Sequence, residues 1–252
     1  MTGTKYLKYL NPLTLFDTKR TRDIFHVNPT VIPERVEATE IKVNVYDYTP
    51  THFVETKLLD IKDCFPFRDS NNISWINIDG IRKADVEAAC LHIGVHNLIL
   101  EDIMSVGQRP KMDEIENVLF CLLNMLYFNE KTGAVETEQI SMVLGKGFVL
   151  SFQEDASRDV FNPIREKLKV AGSKLRTGKA DYLCYTMLDM IIDNYYLVME
   201  KLGERIELLE EKIIRGSNTR SLAEINSLRK ELIVLKRNVS PVRDLVNGFI
   251  RS

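Results

Sequence analysis

From residue 41 the apolar positions come every second residue. Ile41, Val43 and Val45 alternate with Lys42 and Asn44, Phe53 to Leu59 forms a second run, and Tyr48-Thr-Pro-Thr51 turns the chain between them. A period of two puts alternate side chains on one face of a strand. Ile73-Ser-Trp-Ile-Asn-Ile78 reads as a third strand, stopped by Asp79-Gly80. The period then lengthens. Val86, Ala89, Cys90 and Ile93 share one face of a helix over Lys83 to Ile93 that Gly94 closes. Asn97 can cap a short second helix carrying Leu98, Leu100, Glu101, Asp102 and Ile103. Val118 to Phe128 is apolar enough for a sheet centre, and Glu130-Lys-Thr-Gly133 turns the chain. Gln139 to Leu144 and Phe148 to Gln153 flank Gly145-Lys-Gly147 as a hairpin, and Asn162-Pro163 starts a helix.

The last third has a different rhythm. Leu188, Ile192, Tyr195, Met199, Leu202, Ile206, Leu209 and Ile213 are spaced alternately four and three. Arg215-Gly-Ser-Asn218 breaks the run, and Ser221 with Glu224 reads as a capping box. Ile225, Leu228, Leu232, Leu235, Val239, Val242, Val246 and Phe249 then resume it. Two heptad helices joined by a short turn predict an antiparallel hairpin, with Pro241 kinking its second arm. Residues 181–214 carry eight acids against three bases, and residues 215–252 carry eight bases against three acids. Helices of opposite sign attract.

Three parts follow. Residues 1–35 are a basic arm of poor periodicity with prolines at 12, 29 and 33; 36–165 are an α/β domain; 166–252 are the helical hairpin. The hydrophobic share of 44% allows a real core. With 34 basic and 36 acidic side chains, the chain lacks the basic excess of a nucleic-acid binder. No run approaches the roughly 18 apolar residues of a membrane span, and no secretory leader opens the chain. Cys64, Cys90, Cys121 and Cys184 are scattered among apolar residues, which predicts buried, reduced thiols.

Catalytic motifs are absent. There is no P-loop, G-x-S-x-G or H-E-x-x-H, and no local Ser/His/Asp or Cys/His arrangement, so the chain does not read as an enzyme. His92 and His96 have the spacing of a metal pair, but Gly94 between them ends the helix, which favours ordinary packing and capping. Acids remain. Glu101 and Asp102 sit beside the loop Ser105-Val-Gly-Gln-Arg-Pro110; Asp181, Asp189 and Asp193 recur on the first long helix, the last two on one face. Mg2+ keeps several waters and uses one or two carboxylates, so scattered acids suffice if folding or assembly gathers them. A merely solvated acidic face is the competing reading.

Taken in order, several segments resemble the CorA family of divalent-cation transporters. They are Trp75-Ile-Asn-Ile78 with Gly80, Leu100-Glu-Asp-Ile103, Gln108-Arg-Pro-Lys111, Glu138-Gln-Ile-Ser141, Ser151-Phe-Gln-Glu154, Val160-Phe-Asn-Pro-Ile-Arg-Glu166, and Ala180-Asp-Tyr-Leu183 with Asp189 and Asp193. The resemblance covers about residues 73–252. The family's Gly-Met-Asn signature and its two membrane helices are missing from this sequence. The segment therefore resembles the cytoplasmic part of a cell (inner) membrane protein, ending within the helix that leads to the membrane.

The resemblance implies an α/β/α sandwich with a mixed sheet, followed by a long heptad hairpin, assembled as a funnel in a homopentamer. It implies transport of Mg2+, with Co2+ or Ni2+ also carried, and regulatory cation sites between subunits. Asp102 falls at the position of a principal ligand, with Glu101, Asp189 and Asp193 near it or at a second site. The usual partner of Asp102, an aspartate of the neighbouring subunit, would lie beyond Ser252. Bound Mg2+ would neutralise facing carboxylates and favour the closed state. A zinc transporter of the ZntB type shares the architecture and is the nearest alternative. A soluble coiled-coil interaction protein is a more distant one.

Overall fold

The computed structural model describes residues 37–216 and 219–251, so the arm expected over 1–35 lies outside the described residues. Seven strands form one mixed sheet: β1 (Lys42–Tyr48), β2 (Phe53–Leu58), β3 (Ile73–Asp79), β4 (Lys111–Ile115), β5 (Val118–Asn129), β6 (Ala134–Gly145) and β7 (Phe148–Gln153). Their order is β2-β1-β3-β7-β6-β5-β4. Every neighbouring pair is antiparallel except β3 and β7, which run parallel with Trp75 opposite Val149 and Asn77 opposite Ser151.

Alternation along the strands makes two faces. Val45, Ile76, Phe120 and Leu150 pack on one face beneath a 3-10 stretch (Ile61–Asp69), α1 (Lys83–Ile93) and α2 (Asn97–Met104). Trp75, Cys121, Ile140 and Val149 point the other way, against α3 (Asn162–Lys169), the single-turn α4 (Lys174–Thr177) and the long α5 (Ala180–Arg215). This is the α/β/α sandwich. Each large side chain it takes fully from water stabilises the fold by about 1.5–3 kcal/mol. All four cysteines are buried and free.

Beyond the sheet, α5 pairs with α6 (Thr219–Val239), and α7 (Val242–Arg251) follows. Pro241 does more than kink the second arm: the helix stops at Val239 and restarts at Val242. The seam is narrower than the spacing predicted. Leu188, Tyr195, Leu202 and Leu209 on α5, and Leu228, Leu235 and Val242 on the opposing arm, are buried, one residue in every seven. Met199, Ile213, Ile225 and Leu232 stay exposed, because two helices alone cover only a thin stripe of each other. The cross-helix ion pair Lys212–Glu224, at 2.8 Å, runs against the overall charge bias of the two arms. The β5–β6 turn is clasped by both arms: Arg205 of α5 donates to the Gly133 carbonyl, and Glu231 of α6 accepts from the Val135 N–H at 2.7 Å.

Several local expectations change. β4, Lys-Met-Asp-Glu-Ile, escapes the alternation rule because it is a charged edge strand, as exposed edges generally are. β6 begins at Ala134 rather than Gln139, since the tight turn sets Ala134 opposite Asn129 and the backbone ladder continues past the apolar core. The cap of α2 is His96, whose Nδ1 accepts from the Leu98 N–H at 3.2 Å, not Asn97. Ser221 lies inside α6 and so does not cap it. His92 stacks on Phe65 at 3.9 Å while Gly94, at φ 78°, ends α1, so the two histidines pack and cap as the glycine predicted.

Candidate metal site

The site is built on two turns of helix. Ile99 and Ile103 are fully buried and fix the inner face of α2, which leaves Asp102 at its rim. The last turn is held from two sides. Ser105 Oγ donates to the Glu101 carbonyl at 2.7 Å, and Gln139 Nε2 donates to the carbonyls of Asp102 and Ile103 at 3.2 and 3.3 Å. The Gln139 bonds satisfy two carbonyls that a helix end leaves open, and the Glu101 carbonyl also accepts the Ser105 backbone N–H at 2.9 Å.

The Asp102 carboxylate is 19% exposed and meets the Lys111 ammonium at 2.5 Å, and Lys111 also lies 3.3 Å from Asp113. Burial works against the Lys111 charge, but its bonds to Asp102 and Asp113 outweigh that and raise its pKa. Asp102 is thus a partly exposed carboxylate with a counter-charge already on it. A hard cation offers the same compensation with more oxygen coordination.

The other predicted acids are not brought to it. The Glu101 side chain is exposed on the next helix position, about 100° round the axis. Asp189 and Asp193 are exposed on α5, across the sheet from α2. Among the described residues no group of three or more His, Cys, Asp or Glu could hold a metal. Asp113, on the other side of the Lys111 ammonium, is a nearby carboxylate of the same chain, but the described residues of one chain do not form a full ligand set.

Most motif residues are core architecture. Trp75 Nε1 donates to Ser151 Oγ at 2.8 Å, Ser151 donates to Asn77 Oδ1 at 2.7 Å, and Asn77 Nδ2 donates to Asp79 at 3.0 Å. Burial, then the nearby Asp159 charge, pushes the Asp79 carboxyl up to about 6. Arg165 of α3 pairs with Asp159, donates to the Tyr46 hydroxyl at 2.8 Å and lies over the Trp75 ring. Buried Glu138 accepts the backbone N–H groups of Glu154 and Asp155 at 3.0 and 2.9 Å. Sequence reasoning quoted Lys111 and Gln139 without giving either a role at the site, and it gave none to Asn124 or Asn238. Asn124 had one visible signal: it is a lone amide in the apolar run of β5.

A family model described as CorA-like Mg2+ transporter protein matches residues 70–252. This chain belongs to the CorA family. It is a transporter family and not a family of enzymes. The chain is 35% identical over 213 residues to the Cobalt/magnesium transport protein CorA of Thermotoga maritima, covering 84% of this chain and 60% of that protein's length. The CorA fold is seen again in the soluble domain of CorA from Methanocaldococcus jannaschii, with a TM-score of 0.61 at 19% identity over 84% of this chain and 79% of that one. The ZntB cytoplasmic domain from Vibrio parahaemolyticus has a TM-score of 0.59 at 14% identity over 84% of this chain and 80% of that one. Both likenesses concern the fold alone. No helix among the described residues is long and apolar enough to cross a membrane.

Proposed function

We propose that this chain is the cytoplasmic part of a membrane transporter that carries Mg2+, with Co2+ or Ni2+ as further cargo, and that it senses internal Mg2+ at Asp102. The observation that carries the proposal is the partly exposed Asp102 carboxylate at a braced helix end, with a counter-charge but no group of three ligating side chains among the described residues of its own chain. A second copy is the natural source of the missing oxygens, which agrees with a homopentameric assembly. Glu101, Asp189 and Asp193, all outward-facing, serve neighbouring or second sites in the same assembly.

The mechanism is electrostatic. Carboxylates facing each other across a subunit boundary repel when no cation lies between them. Bound Mg2+ removes the repulsion and holds the subunits in the closed arrangement. Falling Mg2+ releases them, so the transported ion limits its own entry. Oxygen ligands without His or Cys suit Mg2+ better than Zn2+, which favours this reading over a ZntB-type one. Flux of Mg2+, Co2+ and Zn2+ into vesicles holding the full-length protein tests it. Uptake of Mg2+ and Co2+ supports the proposal; uptake of Zn2+ alone, or of none, defeats it.

A further inference from the structure

The amides that hold the end of α2 also reach the helical hairpin. Asn124 and Gln139 face each other across β5 and β6. Gln139 Nε2 donates to the carbonyls of Asp102 and Ile103. Asn124 Nδ2 donates to the Gln108 carbonyl at 3.2 Å and to Asn238 Oδ1 at 2.8 Å. Asn238 Nδ2 in turn donates to the Val234 carbonyl at 2.9 Å, which fixes how its amide is turned. All three amides are buried. Beside them, Arg237 reaches the Gly107 carbonyl at 3.4 Å. The last turn of α2 and the loop after it are therefore bonded, through two strands, to the last turn of α6. The chain breaks at Ser240-Pro241 directly afterwards.

The seam also has room. A cavity of about 230 Å3 lies there, lined in part by Gly107, Gln139 and Asn238. Gln139 Oε1 is buried without a protein partner among the described residues. Close-packed apolar cores resist small displacements, whereas a polar seam with spare volume can exchange one set of bonds for another.

We propose that Gln139, Asn124 and Asn238 are positioning residues that tie α2 to the break between α6 and α7. Occupancy at Asp102 and the angle of α7 then form one coupled equilibrium. This rests on the reading of Asp102 as the sensing carboxylate. Coupling works in both directions: a cation that stiffens α2 stiffens α7, and a displacement of α7 weakens the cation's hold.

The test is amide hydrogen exchange on the full-length protein, with and without Mg2+. Without metal, Asn238→Leu leaves one of the two Nδ2 hydrogens of buried Asn124 without its acceptor, while the other still goes to the Gln108 carbonyl. Exchange should rise about tenfold in the last turn of α6 and equally over residues 97–104 of α2. Combining Asn124→Leu with Asn238→Leu replaces both partners by apolar groups of similar size, so the melting temperature should return towards wild type. A purely structural role would restore the Mg2+ response along with stability. The proposal instead requires Mg2+ to protect α2 in both proteins but α7 in wild type alone. Protection of α7 in the double variant would overturn it, as would metal-free Asn238→Leu that loosens α6 only. If Mg2+ protected neither helix of the wild type, the Asp102 reading would fall, and the metal-free comparison would still decide whether the amides join the two helices.

Discussion

If Asp102 is the sensing carboxylate proposed above, Lys111 sets how available it is to a cation. Its ammonium must leave the carboxylate before metal can coordinate there, and a partly exposed pair of this kind contributes up to about 1 kcal/mol. Lys111→Met should therefore lower the Mg2+ concentration for half-maximal protease protection by about two- to fivefold. Glu101→Gln should act in the opposite direction and add to the effect of Asp102→Asn, since adjacent helix positions cannot share one ion. A Lys111→Met midpoint at or above wild type would mean that the lysine helps to build the site. Asp79 offers a test of the core. Its carboxyl titrates near 3.8 in the unfolded chain and at about 6 in the folded one. Between those values the folded state keeps a proton that the unfolded state has lost, so stability falls as pH rises from about 4 to about 6 and stays reduced above that. Asp79→Asn keeps an acceptor for Asn77 and removes the penalty. It should stabilise the protein by about 3 kcal/mol at pH 7 and hardly at all near pH 4, as read from denaturant melts across that range.

At the scale of elements, the hairpin depends on a few buried leucines. Leu209→Ala or Leu235→Ala should cost about 2–4 kcal/mol, while Ile214→Ala, at 85% exposed, should cost almost nothing. Equal losses at all three would show that the seam lies elsewhere. The strands other than β4, α1 and the two long arms were legible because burial imposes a period of two, of three to four, or of seven on the sequence. What the pattern could not say was how many flanking positions a neighbour would cover, so Met199 and Leu232 were expected in the seam and lie outside it. β4 was illegible because edge strands carry charge rather than alternation. Of the candidate site, Asp102 was identified from the family resemblance, since nothing in its local spacing marks it. Lys111 and the three amides join it only through pairings between distant strands and helices, which local sequence does not encode.

Over the whole molecule, the sheet anchors only the first part of α5, a helix of 36 residues spanning about 54 Å. Past Arg205, whose guanidinium still reaches the β5–β6 turn, α6 packs on it. Amides over residues 205–232 should exchange well ahead of those in β5, β6 and β7; uniform protection would place further cover on the hairpin. The same layout separates Asp102 from Asp189 and Asp193 by the full sandwich, so these acids do not share one ion within one chain. The proposed function places sensing between subunits, and the most direct measurement is Mg2+ uptake by the full-length protein in vesicles, titrated with Mg2+ on the cytosolic side. Asp102→Asn should move the inhibition midpoint about tenfold higher than wild type. A midpoint that does not move would contradict the account and leave Asp102 a surface acid paired with Lys111.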